Sequence, residues 1–244
     1  MAVRVGTAGW SIPRDIADRF PAEGTGLERY AARFAVAEIN SSFHRPHRAS
    51  TWERWRDSVP PDFRFSVKVP KQITHTRKLV DCGAEVEEFL AQAQMLGDKL
   101  AVLLVQLPPS LGFDSSVADA FFRDLSERTN ASIACEPRHL SWFGDDADSL
   151  LAQLRVSRVA ADPSLCEAAA RAGGWRGLSY WRLHGSPVIY RSSYGDRVQE
   201  YADLLRQDEA LGDVWCIFDN TASSAGAGDA LALVDALDAM QSQP

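Results

Sequence analysis

Proton transfer at neutral pH needs a carboxylate or imidazole tuned by its neighbours, and anion recognition needs guanidinium or ammonium groups held in place. The chain carries both kinds of group in short motifs. Residues 132–143 read SIACEPRHLSWF, an apolar run that ends in Glu136, Pro137, Arg138 and His139. Opposite charges and an imidazole are costly at the end of a buried strand unless they meet partners, solvent or a ligand. Five other runs end in the same way. EINSSF carries Glu38 and Asn40, RFSVKV carries Lys68, LAVLLVQL ends at Gln106, SYWRLHG carries Arg182 and His184, and VWCIFDN carries Asp219 and Asn220. RVAADP adds Asp162. Residues two apart share one face of a strand, so Glu38 with Asn40, Ser66 with Lys68, Glu136 with Arg138 and Arg182 with His184 are aligned pairs.

These groups need a scaffold that brings strand ends together. Eight apolar or β-branched runs read as strands, beginning at Val3, Val36, Arg64, Leu100, Ser132, Arg158, Ser179 and Val214. Helical patterns lie between them. GLERYAARF spaces Leu27, Tyr30, Ala31 and Phe34 at three and four, and STWERWRDSV places Trp52 and Trp55 one turn apart, both as core residues. The sixth connection, SLCEAAARAGGWRG, turns glycine-rich and leaves room for a short helix only. Regular strand–helix alternation forces parallel strands and right-handed crossovers. The expected fold is α/β: a single (β/α)8 TIM-like barrel with eight parallel strands in one domain over residues 3–240. A doubly wound sheet is the alternative, and no Gly-x-Gly-x-x-Gly after the first strand supports it. In such a barrel, chemistry sits at the C-terminal strand ends.

Composition narrows the classes. A net charge of −7 gives no global attraction to nucleic acid or anionic membrane. No apolar run of about 18 residues suggests a membrane span. The strand pattern starts at once, without a signal-peptide core, and a cytoplasmic protein is expected. Cys82, Cys135, Cys166 and Cys216 form no C-x-x-C pair, which argues for reduced thiols. Cys135 is the first of them to test as a nucleophile. The five histidines, His44, His47, His75, His139 and His184, all fall at or just after predicted strand ends.

Several features have plain structural readings. Trp181 and Trp215 are expected between sheet and helices. Trp10 and Trp142 are placed as aromatic walls of the site. NTASSAGAGDA, from Asn220 to Ala230, is a small-residue turn that opens the last helix and can also cradle a phosphate. The charged ring itself can be a self-satisfied ion-pair network with no substrate.

Six motifs, in order, carry a family resemblance: VGTAGWSIP, the stretch from EINSSFHRPHR to KVPKQITH, LLVQLPPSL, CEPRHLSWF, YWRLHGSP and IFDNTASSAGAGDAL. Over roughly Val3 to Leu233 the chain resembles the YecE-like family, domain-of-unknown-function family seventy-two. The resemblance implies a TIM-barrel-like fold, distantly similar to xylose-isomerase or endonuclease IV barrels, and supplies no established reaction. Against the family pattern, Ala8 replaces a serine, His44 a tyrosine and Thr221 an acid, and Pro137 and Leu140 stand at variant positions. The loss of the acid at Thr221 weakens any metal site on the eighth strand.

Three functions remain open. The first is a metal-independent, cofactor-free enzyme on a small anionic or polar metabolite. Its candidate catalytic groups are Glu136, His184, Lys68 and Asp219. Arg138, Arg182, Asn40, Gln106, Glu38, His75, Trp10 and Asn220 would bind the ligand. The second is a divalent-metal phosphoesterase, for which Glu38, Glu136, Asp162, Asp219 and His184 are plausible ligands, although three interleaved cations compete for the same carboxylates. The third is a non-catalytic module for nucleic acid or a metabolite, resting on basic and aromatic residues interleaved in HRPHRASTWERWR and KVPKQITHTRK. The sequence gives no signal of oligomeric state.

Overall fold

The computed structural model describes residues 3–241. The strands are β1 (Arg4–Ala8), β2 (Val36–Ile39), β3 (Arg64–Lys68), β4 (Leu100–Gln106), β5 (Ser132–Glu136), β6 (Val156–Arg158), β7 (Ala160–Asp162), β8 (Gly173–Gly174), β9 (Leu178–Leu183) and β10 (Asp213–Phe218). The α-helices are α1 (Gly26–Ala31), α2 (Ala49–Asp57), α3 (Gly83–Ala93), α4 (Ser115–Glu127), α5 (Asp145–Gln153), α6 (Val198–Glu209) and α7 (Ala225–Gln241). Local chemistry sets several boundaries. Thr25 and Glu28 form a reciprocal capping box at the start of α1, and Asp114 accepts from Ser116 and Val117 N–H at the start of α4.

The sheet order is β7-β9-β10-β1-β2-β3-β4-β5-β6-β8, with every pairing parallel except β6–β8. β6 and β7 are two halves of one kinked strand that meet at Val159, whose N–H donates to Cys135 O at 2.9 Å. β6 pairs with β5 and β7 with β9, so the kinked strand closes the sheet into a barrel. The barrel replaces the open sheet held as the alternative.

Two details correct the expected eight-strand plan. The sixth strand starts earlier, at Val156, and is broken, and its connection holds a 3-10 turn (Glu167–Ala170) and β8 in place of an α-helix. Arg158 is the physical reason. Its guanidinium is buried on the outside of β6, donating to Asp148 Oδ1 (2.8 Å) and the carbonyls of Ala168 (2.7 Å) and Arg171 (3.3 Å). A Cβ at Gly173 would fall inside that guanidinium, so glycine lets the chain pass with the Arg158–Asp148 pair in place. A glycine pair in this position disfavours a helix by about 1 kcal/mol per residue.

Alternation along the strands makes two apolar layers. Phe65, Val67, Leu103, Val105, Cys135, Trp181, Leu183, Cys216 and Phe218 face the helices. Val36, Val102, Leu104, Ala134, Val159, Leu178, Tyr180, Trp215 and Ile217 fill the barrel. Trp215 is therefore inside, stacked on Tyr180 at 6.0 Å, and not between sheet and helices as its sequence context implied. Trp181 does face outward, and its indole donates to Asp208 of α6 at 2.9 Å. Burial pushes the Cys135 thiol far up, which disfavours it as a nucleophile. Among the described residues no helix is long and apolar enough to cross a membrane.

Candidate functional site

Strand period two carries the inward face from apolar to charged at the C-terminal ends. On β9 the inward series is Leu178, Tyr180, Arg182, and His184 follows the strand on the same side. On β5 it is Ala134 then Glu136, and on β4 it is Val102, Leu104, Gln106. Parallel register sets Ala8 beside Glu38, Ile217 beside Arg182 and Gln106 beside Glu136. The charged groups therefore meet above the apolar filling.

Arg182 is the hub. Its Nε and Nη2 donate to Glu38 Oε2 and Oε1 at 3.1 and 2.7 Å, a bidentate pair. Nη1 donates to Glu136 Oε2 at 2.7 Å, and Nη2 also reaches Asp219 Oδ2 at 2.9 Å. Tyr180 OH donates to Glu38 Oε2 at 2.9 Å. Arg182, Glu38, Glu136 and His184 are each no more than 1% exposed. Water cannot substitute for these partners, so each bond is needed to offset desolvation.

His184 ties the hub to the surface. Its Nδ1 lies 3.0 Å from Asp219 Oδ2, and a carboxylate there requires an N–H. Its Nε2 lies 2.8 Å from Glu136 Oε1 and 2.9 Å from Arg138 Nη2. Arg138 Nη2 donates to the same Glu136 oxygen at 2.6 Å. His184 and Arg138 thus compete for one acceptor. Nε2 can donate to Glu136 or accept from Arg138, and cannot do both at once.

The field follows from these contacts. Burial opposes the Glu136 charge, and Arg182, Arg138 and His184 outweigh it and hold the carboxyl well below its ordinary range. Asp219 is lowered in the same way, against burial, by Arg182 and His184. Burial opposes the Arg182 charge as well, and Glu136, Glu38 and Asp219 hold its pKa well above normal. Lys68 differs. Burial, then the Arg182 charge, pull its ammonium down against the three carboxylates. Its Nζ stands 4.3 Å over the Phe43 ring and makes no hydrogen bond or ion pair among the described residues.

The structure brings Glu38, Glu136, Arg138, Arg182, His184 and Asp219 into one network. Asn40 joins through Nδ2, 3.4 Å from Asp219 Oδ1. Lys68 and Gln106 line the mouth, both half-buried, and the Gln106 amide has no partner among the described residues. His75 lies on a π-helical turn (Gln72–Thr76), with Nδ1 2.9 Å from Thr74 Oγ1 and its ring against Phe43.

Other expectations are corrected. Trp10 packs edge-on against Trp55 and Phe65, in the layer outside the barrel. Asn220 donates to Asp229 Oδ2 (2.6 Å) and Ser192 O (3.0 Å), bracing α7 against the loop after β9. Trp142 does not cover the site; its indole donates to Leu111 O and its ring meets Phe113. Asp162 turns away to Tyr194 and Arg197. The glycine-rich loop after β10 borders a cavity of about 20 Å³, room for roughly one water and not a phosphate. Among the described residues no three His, Cys, Asp or Glu side chains are grouped to hold a metal ion. Glu38, Glu136 and Asp219 already have Arg182 between them, so the donor set does not fit a divalent cation. Sequence reasoning missed Tyr180, Phe43 and Tyr190, whose ring lies 5.9 Å from His184. Tyr180 shares the inward face of Arg182, and period two alone marks it. No sequence signal marks the other two.

Comparison with known proteins places this geometry in a family. The model of the family described as "Protein of unknown function DUF72" matches residues 4–244. The UPF0759 protein YecE of Escherichia coli is 30% identical over 165 residues, which cover 66% of this chain and 59% of that protein. The UPF0759 protein YunF of Bacillus subtilis is 28% identical over 149 residues, covering 58% of this chain and 52% of its own length. The chain thus matches only between half and three-fifths of these relatives. A DUF72 family protein of Enterococcus faecalis superposes with a TM-score of 0.81 at 19% identity, covering 97% of this chain and 96% of that one. One from Thermotoga maritima gives 0.78 at 22% identity, covering 98% and 100%. A xylose isomerase-like TIM barrel fused to a 4-hydroxyphenylpyruvate dioxygenase gives 0.54 at 14% identity, over 97% of this chain and 42% of the fusion. At these identities the superpositions establish the TIM-barrel-like fold and nothing further.

Proposed function

The chain belongs to the DUF72 family of proteins of unknown function, and from its own side chains we propose that it binds a small phosphate- or carboxylate-bearing ligand at the C-terminal mouth of the barrel. One observation carries this reading: three of the polar atoms that lack partners among the described residues, on two cations and an amide, lie together at the mouth, while Ser66 Oγ, Ser179 Oγ, Trp52 Nε1 and Asn220 Oδ1 are unpartnered elsewhere. Lys68 Nζ has no hydrogen bond, Arg138 Nε is buried without an acceptor, and Asn40 Oδ1 is buried without a donor. Buried polar groups are nearly always satisfied, so such atoms mark a place for something else. Two free donors on cations suit an anion, and the Asn40 oxygen suits a ligand hydroxyl.

Within this reading His184 is the proton-carrying group, Glu136 is the ionised acceptor that faces its Nε2, and Asp219 fixes the imidazole through Nδ1. An anion that draws Arg138 toward itself relieves the competition at Glu136 Oε1. With both ring nitrogens protonated, His184 then donates Nε2–H to Glu136 undisturbed, while Nδ1–H stays on Asp219. The depressed Glu136 pKa keeps it ionised and a weak base, so in this pair it accepts the imidazole's hydrogen bond and His184 keeps the proton.

Calorimetric titration with inorganic phosphate and a small hydroxy acid tests the site. Lys68→Met and Arg138→Gln are each expected to weaken binding at least about tenfold, the scale of one charge-assisted hydrogen bond. Unchanged affinity in both variants refutes the proposal.

A further inference from the structure

The two basic, aromatic stretches of the sequence fold against one another. HRPHRASTWERWR follows β2, KVPKQITHTRK follows β3, and between them and α3 lies a cavity of about 320 Å³ whose lining shares only Phe43 with the anion site. That volume is in the range of small-molecule pockets. Phe43, Trp52 and Phe89 supply three aromatic walls. Gln92 Oε1 accepts from His47 N–H at 3.2 Å, which leaves the amide NH₂ of this wall residue to donate elsewhere. Trp52 is 1% exposed, and its indole N–H, its one polar atom, is buried without an acceptor. Arg45 and Lys71 stand at the rim, exposed and without ion pairs among the described residues. Of the two acids there, Glu85 is held by Arg77 at 2.9 Å, and only Glu88 opposes the cations.

Flat apolar walls, a waiting N–H donor, a free amide and a basic rim match one ligand chemistry. We propose that this groove binds a nucleobase-like heteroaromatic ring carrying a phosphate. The ring packs on Phe43 and Phe89 with an acceptor atom toward the Trp52 N–H, and the phosphate meets Arg45 and Lys71. Such a group is presented by a free mononucleotide or by a single-stranded nucleic acid.

Calorimetry on the intact chain with adenosine monophosphate, adenosine and an oligoadenylate of about ten nucleotides separates the cases. The monophosphate binds at one site, about tenfold tighter than adenosine. Arg45→Glu with Lys71→Glu, both outside the core, removes that advantage and leaves adenosine binding intact. Trp52→Phe weakens both ligands, with a melting curve to verify folding; the rim variant decides the question if it misfolds. An oligomer that binds more tightly than the monomer, with steep salt dependence, identifies a single strand, and equal affinity identifies a free nucleotide. Adenosine monophosphate affinity that is unchanged in the rim variant, or lost instead in Lys68→Met, overturns the groove proposal and places the phosphate at the barrel mouth.

Discussion

Replacing Arg182 by methionine is the sharpest test of the central network. Methionine keeps much of the volume and removes the charge. Glu136 keeps Arg138 and His184, and Asp219 keeps His184 and Asn40. Glu38 keeps only the Tyr180 hydroxyl at 2.9 Å and is 0% exposed. The cost is therefore concentrated on one stranded carboxylate. Removing one partner of a buried ion pair costs about 3–5 kcal/mol. In a chain of this size, each kcal/mol moves the melting midpoint by about 2–4 °C, so a drop of roughly 6–20 °C is expected. Thermal and urea denaturation at neutral pH measure it. Adding Glu38→Gln to the same chain neutralises the stranded group and should restore about half of the loss. A single-variant loss below about 1 kcal/mol, the worth of a surface pair, means that water reaches the network and refutes the reasoning. A double variant no more stable than the single one shows that Glu38 does not carry the cost.

Two further outcomes follow from the same contacts. Glu136 and Asp219 have folded pKa values below their unfolded ones. The stability they contribute is full above the unfolded values near pH ~4 and is lost as pH falls through the folded ones. Stability should hold down to about pH 5 and then decline, and Glu136→Gln should flatten the acid limb; an unaltered limb counts against the assignment. At the sixth connection, Gly173→Ala forces the Arg158 guanidinium to move and should cost about 1–3 kcal/mol, read in a urea melt. An unchanged midpoint there shows that Arg158 is not what excludes the helix.

Most of the site was legible because a strand's period is two and a barrel's chemistry lies at one end. Those two rules alone aligned Glu38, Lys68, Glu136, Arg182 and His184. What they do not supply is a partner's identity. Asn220 is two residues past the end of β10, where the chain has already turned, and alternation no longer says where its amide points. Trp10 lies beyond β1 for the same reason. Trp215 was misplaced because its neighbours Val214 and Cys216 are equally apolar; a strand buried on both faces has no polar side to orient it. The broken sixth strand depends on Arg158 finding an aspartate and two carbonyls that are distant in sequence, and no local pattern reports that.

The layering of charge bears on why the network exists. Buried ion pairs are seldom more stabilising than apolar residues of the same size, so stability alone does not explain keeping one. Here the depth order is informative. Tyr180, Glu38 and Arg182 are deepest, Glu136 and His184 come next, and Arg138, Lys68, Asn40 and Gln106 form the mouth. The inner groups satisfy each other nearly completely and act as a rigid base. Among the charged side chains of this network and its mouth, the donors without a partner among the described residues, Lys68 Nζ and Arg138 Nε, are both in the outer layer. Lys68 is held there at a cost, its ammonium disfavoured by burial and by Arg182. A ligand anion at the mouth would relieve that cost, give Arg138 Nε an acceptor, and leave the inner carboxylates with the partners they already have.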